Sequence, residues 1–384
     1  MDFSGAATSL GHRHPRVLEW VSRALEEFTG FTGLVADNPY TRRLASMLVS
    51  HAPMRSPLVA FASTGSEACD FAIQLARYYT RRTYVLSFIG AYHGLTGTAL
   101  ASSPSHGIRF SPPHTVDAVY SPYPYSLRCP FKTDDCDNAV LDYVRLLIKE
   151  AVSRGGLAGI VVEPLQSHGG ILVPGAEFFK GLREIVDDEA SLLIVDEVYT
   201  GAGRTGKLWG IENHDIEPDV VCVGKGIGGG FPLAAVLARK DVGENWPLPS
   251  GGSLGTYAGH VISAAAGIGV MEALINDGVV DNARSVGSRL LSGLRDLSDR
   301  FEFIAEARGK GVVLGIEVTL EDLKPWSRGA SNIINALREL GLLAIKVGIY
   351  DNVVKLTPPA TLSHDEVEEA LSIIEEAARM VGKT

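Results

Sequence analysis

Glutamine occurs only at positions 74 and 166 of this 384-residue chain, a shortage of thermolabile amides of the kind found in heat-adapted proteins. Cysteine is nearly as scarce, at four. Cys69 and Cys222 fall in an apolar helical stretch and an apolar strand, and read as small core residues. Cys129 and Cys136 share the loop CPFKTDDC. The N-terminus, MDFSGAATSLGHRHP, has no basic stretch leading into an apolar core, so no secretory signal is expected. The chain therefore reads as cytoplasmic, and these two thiols are expected to be free. No apolar run reaches the ~18 residues of a membrane helix, which argues against a membrane partner. A basic excess is lacking too: the net charge of −10 speaks against nucleic acid. The ten histidines show no metal-ligand spacing, and no internal repeat or low-complexity segment is present.

Apolar residues make up 46% and charged residues 21%, the balance of an ordinary globular protein, and the length suits one large and one small domain. Apolar positions recur at helical spacing over 15–29 and 39–51, after the start signals Pro15 and Asn38–Pro39. From there strands and helices alternate. PLVAF (57–61) precedes a helix over 66–79, and YVLSFI (84–89), AVY (118–120), LAGIVVE (157–163), SLLIVDE (191–197), DVVCV (219–223) and LAAVLA (233–238) follow. Such near-continuous apolar runs predict an α/β fold, a mostly parallel sheet covered by helices on both faces. A long helix over 261–277 leads to a C-terminal α+β unit, with helices over 282–300, 330–341 and 364–381 and strands near 311–318 and 352–358. The division read from this is an N-terminal segment (1–45), a large domain (46–280) and a small α+β domain (281–384).

Two ionisable residues stand at the carboxyl ends of predicted strands, where open α/β sheets bind their ligands: Asp196 ends SLLIVD, and Lys225 follows DVVCVG. A lysine there, shielded from water, is placed to condense with an aldehyde. An aspartate beside it suits holding a proton on a pyridine nitrogen, and the two together are what a pyridoxal phosphate site requires. Taken alone, a lysine after a strand is more often a solvated loop residue. Two nucleotide patterns overlap the region and fail on context. Gly224, Gly226 and Gly229 match G-x-G-x-x-G, but FPLAAVLA follows instead of a helix. GAGRTGK (201–207) nearly spells a P-loop, but Leu208 stands where the magnesium-holding Ser or Thr belongs. Other parts of a pyridoxal phosphate site have candidates. Gly65 and Ser66 lie at the mouth of a helix after a strand, where free N–H groups and the helix dipole favour an anion. Tyr92 in GAYHG has a flat ring for stacking on a heterocycle, and Glu163 and Gln166 in VEPLQ follow another strand. Singly, each is equally well a capping, half-buried loop or strand-end residue.

The blocks TGSEA, GAYHG, VEPLQSHGG, DEVYTGAGRTG, PDVVCVGKGIGGG, GTYAG and ARGKG, in this order, resemble those of the class III, ornithine/4-aminobutyrate-type aminotransferases of fold type I. The resemblance covers about residues 2–380. It implies pyridoxal phosphate held as a Schiff base on Lys225, Asp196 on the pyridine nitrogen, and Gly65 with Ser66 on the phosphate. Tyr92 would stack on one ring face and Val198 pack on the other, with Gln166 near the ring oxygen and Glu163 gating the substrate side. Thr256 would reach the phosphate of a neighbouring subunit, which implies a homodimer with shared active sites. Residues 1–45 would be a shortened part of the small domain. The implied reaction moves an amino group from an amino acid or amine to a keto acid, 2-oxoglutarate or pyruvate.

Three departures qualify what is carried over. Members acting on 4-aminobutyrate or ornithine have an arginine after the Tyr-His-Gly block, where this chain has Leu95. The arginine that binds a substrate carboxylate in the C-terminal block is here Lys355, a point charge instead of a bidentate fork. With Leu95 and Lys355 at these substrate positions, 4-aminobutyrate is expected to be a poorer donor than amines or amino acids with apolar side chains. The chain also opens at MDFSG, a block that a further segment precedes in the family. A racemase or epimerase on the same scaffold shares every block and stays open as an alternative. A non-catalytic protein of this fold would need neither Lys225 nor Asp196.

Overall fold

The apolar runs pair into a seven-stranded sheet of β1 (Pro57–Ala62), β2 (Tyr84–Phe88), β3 (Ala118–Ser121), β4 (Leu157–Val162), β5 (Leu192–Asp196), β6 (Val220–Val223) and β7 (Ala234–Arg239). The computed structural model describes residues 1–5, 7–28, 38–105, 118–152, 155–244, 246 and 255–382. The strand order is β1-β7-β6-β5-β4-β2-β3. Strands β2 to β6 are mutually parallel, and β7 runs antiparallel to both its neighbours. Residues 224–233 join β6 to β7 through a 3₁₀ turn, Lys225–Gly228, and the glycine-rich block opens no α-helix.

The α-helices among the described residues are α1 (Pro15–Glu27), α2 (Pro39–Ser50), α3 (Gly65–Thr80), α4 (Gly97–Ala101), α5 (Cys136–Ala151), α6 (Ala176–Asp188), α7 (Lys240–Gly243), α8 (Val261–Asn276), α9 (Val279–Arg300), α10 (Ser327–Glu339) and α11 (His364–Gly382). Alternation along the strands sorts the core into two layers. Ile194, Val220, Cys222 and Val236 pack under Ala68, Ala72 and Ile73 of α3. Val195, Val221, Val223 and Leu237 belong to the opposite layer with Phe178, Phe179 and Leu182 of α6. Helix α8 is apolar all round and buried, packed by α1, α2 and the turn Lys225–Gly228. No single described helix is long and apolar enough to cross a membrane.

A second, antiparallel sheet in the order β10-β11-β9-β8 joins β8 (Ile304–Lys310), β9 (Val313–Val318), β10 (Ile345–Val347) and β11 (Val353–Leu356), with α9 and α10 against it and α11 packed on those two helices. The chain start is laced to this part: the Phe3 N–H donates to the Leu343 carbonyl (2.9 Å), and the Phe3 carbonyl accepts from the Thr357 N–H (2.7 Å). Sequence spacing missed β8 and β10. The first interleaves Glu306, Arg308 and Lys310 with smaller residues, and the second is three residues long, so neither shows an apolar run.

The reading of Cys129 and Cys136 as free thiols in one loop is corrected. Cys136 is the first residue of α5, capped by Asp135, and a turn at Lys132 (φ 55°) brings Cys129 back to it. The Cα atoms lie 5.7 Å apart and the two sulfurs are bonded, while Cys69 and Cys222 are free and buried as expected.

Candidate active site

The carboxyl ends of β4, β5 and β6 open on a cavity of about 320 Å³, lined by Tyr92, Glu163, Ser167, His168, Asp196, Val198, Tyr199, Lys225 and Lys355. Strand ends collect these groups because the parallel strands start from one edge, so the loops that follow them meet at the other. Asp196 ends β5 and is buried. Its Oδ2 lies 2.8 Å from His93 Nδ1, and its Oδ1 accepts the Val198 N–H at 3.0 Å. The His93 Nε2 is buried with no partner among the described residues, and Cys69 Sγ lies within 4.8 Å of the same histidine and carboxylate. Lys225 carries a backbone φ of 44°, a left-handed conformation that costs a non-glycine residue ~1–3 kcal/mol, and it lines the cavity. Its Nζ lies 5.9 Å from the Tyr92 ring centroid and 5.2 Å from that of Tyr199.

Glu163 follows β4, buried. Its oxygens accept the N–H groups of Tyr92 (3.2 Å) and Ser167 (3.1 Å). Burial nevertheless pushes its carboxyl up to about 7, with Asp196 adding to the rise and His93 opposing it. Tyr92, tilted against His168 at 5.6 Å, has its phenol pushed up by burial and by Asp196. Helix α3 begins beside this group. A capping box occupies the N–H groups of Thr64 and Glu67, and the N–H groups of Gly65 and Ser66 have no acceptor among the described residues. A Cβ at Gly65 would fall 2.6 Å from Val198 Cγ1, so only glycine lets the helix start come this close to the cavity wall.

The family described as aminotransferase class-III matches residues 1–378. The chain belongs to the class III aminotransferases. This class III aminotransferase is 34% identical to an alanine/serine racemase of Pyrococcus horikoshii, over 97% of its own length and 80% of that relative. It is 32% identical to a 4-aminobutyrate aminotransferase of Escherichia coli, over 97% and 88%. An amine transaminase from an uncultivated Pseudomonas species, solved with pyridoxal phosphate bound, superposes with a TM-score of 0.88 at 28% identity, covering 96% of this chain and 88% of that one. This class III aminotransferase is thus a fold type I, pyridoxal phosphate-dependent transaminase working between amino and keto acids.

Its residues fit the cofactor. Two unpaired N–H groups at the start of α3 suit a phosphate. The Asp196 carboxylate keeps lone pairs free beside those its two partners use, Lys225 stands across the same cavity, and Tyr92 and Val198 offer flat and branched walls. Of the residues singled out from the sequence, Lys225, Asp196, Glu163, Tyr92, Val198 and Lys355 line one cavity, with Gly65 and Ser66 at its wall. Three do not join them in this chain. Gln166 is buried with its Nε2 donating to the Ile89 carbonyl (3.1 Å). Leu95 is 45% exposed, its N–H donating to Ser66 Oγ (3.2 Å). Thr256 is exposed in the turn before α8. Sequence reasoning passed over three residues that belong here: His93, His168 and Tyr199. His93 follows Tyr92 and Tyr199 follows Val198, so adjacency to named residues was the available signal.

Proposed function

We propose that this transaminase takes its amino group from an α-amino acid or amine with an apolar side chain and passes it to 2-oxoglutarate or pyruvate. The convergence of Lys225, Asp196, Glu163 and Lys355 on one cavity carries the reading. When bound, pyridoxal phosphate supplies an aldehyde carbon and an electron-accepting ring. Asp196, held in place by His93 and the Val198 N–H, would keep a proton on its pyridine nitrogen. The Gly65 and Ser66 N–H groups would hold its phosphate, and Tyr92 and Val198 would clamp its ring. Lys225 Nζ takes the proton from the donor carbon as a general base and redelivers it. Glu163 flanks the substrate side, and Lys355 offers a charge to a substrate carboxylate. No arginine is among the residues that line the cavity, so the distal carboxylate of 4-aminobutyrate has only the single charge of Lys355 to meet there.

A homodimer belongs to the same reading. Thr256 and Tyr257 form an exposed turn, Tyr257 at 67%, and Leu95 and Phe231 add exposed apolar surface that a second copy would cover. A racemase differs only in returning the proton to the same carbon from the other face, and the 34%-identical relative keeps that reading in view. The test is to incubate purified holoenzyme with L-amino acids and amines, with and without keto acids, following keto-acid exchange and chirality. Exchange with retained chirality supports transamination; loss of chirality without exchange supports racemisation. Borohydride should fix the cofactor to Lys225, and an adduct on any other lysine would remove that residue from the mechanism.

A further inference from the structure

We infer that Tyr199 is a positioning residue for substrate recognition: locked by Thr357, its ring holds Lys355 as the binding group for the α-carboxylate of an amino acid, which selects α-amino acids over simple amines. The inference rests on the transamination reading above and narrows its donor class. Tyr199 comes three residues after Asp196 and is buried at the cavity wall. Its hydroxyl pairs with Thr357 Oγ1 at 2.7 Å, and its ring lies 4.6 Å from Lys355 Nζ. Lys355, in β11, and Thr357, just beyond it, are two residues apart and so share a face of the extended chain. One side of this short stretch thus supplies both the anchor of the ring and the cation the ring holds.

The charge pattern says what is missing. Lys355 is 5% exposed and makes no ion pair among the described residues. Arg204, also buried, donates among the described residues only to the carbonyls of Pro358 and Gly5, at 2.7 Å each. Lys225 faces the same ring from the cofactor side. Buried cations without an anion are costly unless a ligand supplies one. Since Lys225 is taken by the cofactor, the α-carboxylate of the donor is the anion left for Lys355. A lysine stem is flexible and lacks the rigid fork of arginine, so it needs a fixed platform to act as a specific clamp. A tyrosine ring tethered at its hydroxyl is such a platform, and its π-face attracts the ammonium. The local field agrees. Burial alone would push the Tyr199 phenol up, but Lys355, Arg204 and the Thr357 hydrogen bond outweigh it, and the net shift is downward.

The experiment compares L-leucine with 3-methylbutylamine, its carboxylate-free counterpart, as donors to wild-type holoenzyme and to Tyr199→Leu, Tyr199→Phe, Lys355→Met and the Tyr199→Leu/Lys355→Met double variant. In Tyr199→Leu and Lys355→Met the ratio of kcat/KM for leucine over the amine should fall at least tenfold, through KM. Tyr199→Phe keeps the ring but loses the tether to Thr357, so its ratio should fall between those of wild type and Tyr199→Leu. The double variant should be no worse than Lys355→Met, because Tyr199 acts through that lysine. An unchanged ratio in Tyr199→Leu, or additive losses in the double variant, would overturn the inference. Donor-induced changes in cofactor absorbance give the same comparison as binding constants. The selectivity is therefore read even if the enzyme racemises leucine, an outcome that would instead bring down the transamination reading.

Discussion

Replacing Gly94 by alanine should weaken cofactor binding far more than it weakens the fold. Gly94 joins His93 to Leu95 with φ at +140°, and a Cβ there would lie 2.6 Å from Ser66 Cα and 2.7 Å from its Oγ. Ordinary contact begins at 3.4 Å, so something must yield by about 0.8 Å (3.4 − 2.6). The atom met is backbone in the first turn of α3, not the tip of a flexible side chain. Relief therefore moves either the Ser66 N–H away from the phosphate position or the loop that carries Tyr92 and His93. Both break the hydrogen bond from the Leu95 N–H to Ser66 Oγ. The forced dihedral costs ~1–3 kcal/mol and the lost hydrogen bond ~1 kcal/mol, together roughly 2–4 kcal/mol. The apoenzyme can relax by shifting the loop, but the holoenzyme cannot without losing its cradle, so most of the cost should fall on binding. At ~1.4 kcal/mol per factor of ten, the dissociation constant should rise by ~30-fold or more. Titration of apoenzyme with pyridoxal phosphate, followed by absorbance, measures this, with apoenzyme Tm as the control. A dissociation constant within twofold of wild type would refute the argued closeness of the loop to the cradle.

Asp196→Asn should still bind the cofactor, because the phosphate cradle lies elsewhere, yet lose several orders of magnitude in kcat; near-normal turnover would mean another group partners the pyridine nitrogen. Glu163 is protonated in the folded protein up to about pH 7 but only to about its ordinary 4.5 in the unfolded chain, so the fold takes up a proton between these values. Apoenzyme stability should fall as pH rises through that window, by up to ~3 kcal/mol from this group, and Glu163→Gln should remove that share; parallel stability profiles for the two proteins would exclude it. Denatured protein should show two reactive thiols before reduction, from Cys69 and Cys222, and four after it. Closing the short loop between Cys129 and Cys136 should add ~2–3 kcal/mol of stability, read as a lower Tm under reductant; four thiols without reductant would disprove the bond.

Much of the fold was legible from local pattern. The runs LAGIVV, LLIV and VVCV carry no polar side chain because both faces of a central parallel strand are covered, and they form β4, β5 up to Asp196, and β6. Asp196 and Lys225 were visible as a pair because chain direction alone places a residue that follows a parallel strand at the ligand edge of the sheet. Seven ordered blocks then carried the family. Where charge interrupts the pattern, as in β8, or a strand is only three residues long, as in β10, local spacing held too little signal.

The amino-acid sequence by itself determined the strand and helix periodicity and the two ionisable residues at strand ends, because each depends on a residue and its near neighbours. The tertiary structure decided the partners. His93 meets Asp196 across 103 positions, Tyr199 meets Thr357 across 158, and Gln166 turns to the Ile89 carbonyl instead of the cavity. It also set the ionisation of Glu163, whose carboxyl rises because packed atoms have replaced water around it. Burial and long-range contact depend on how separate elements pack together, and no window of neighbouring residues contains that information.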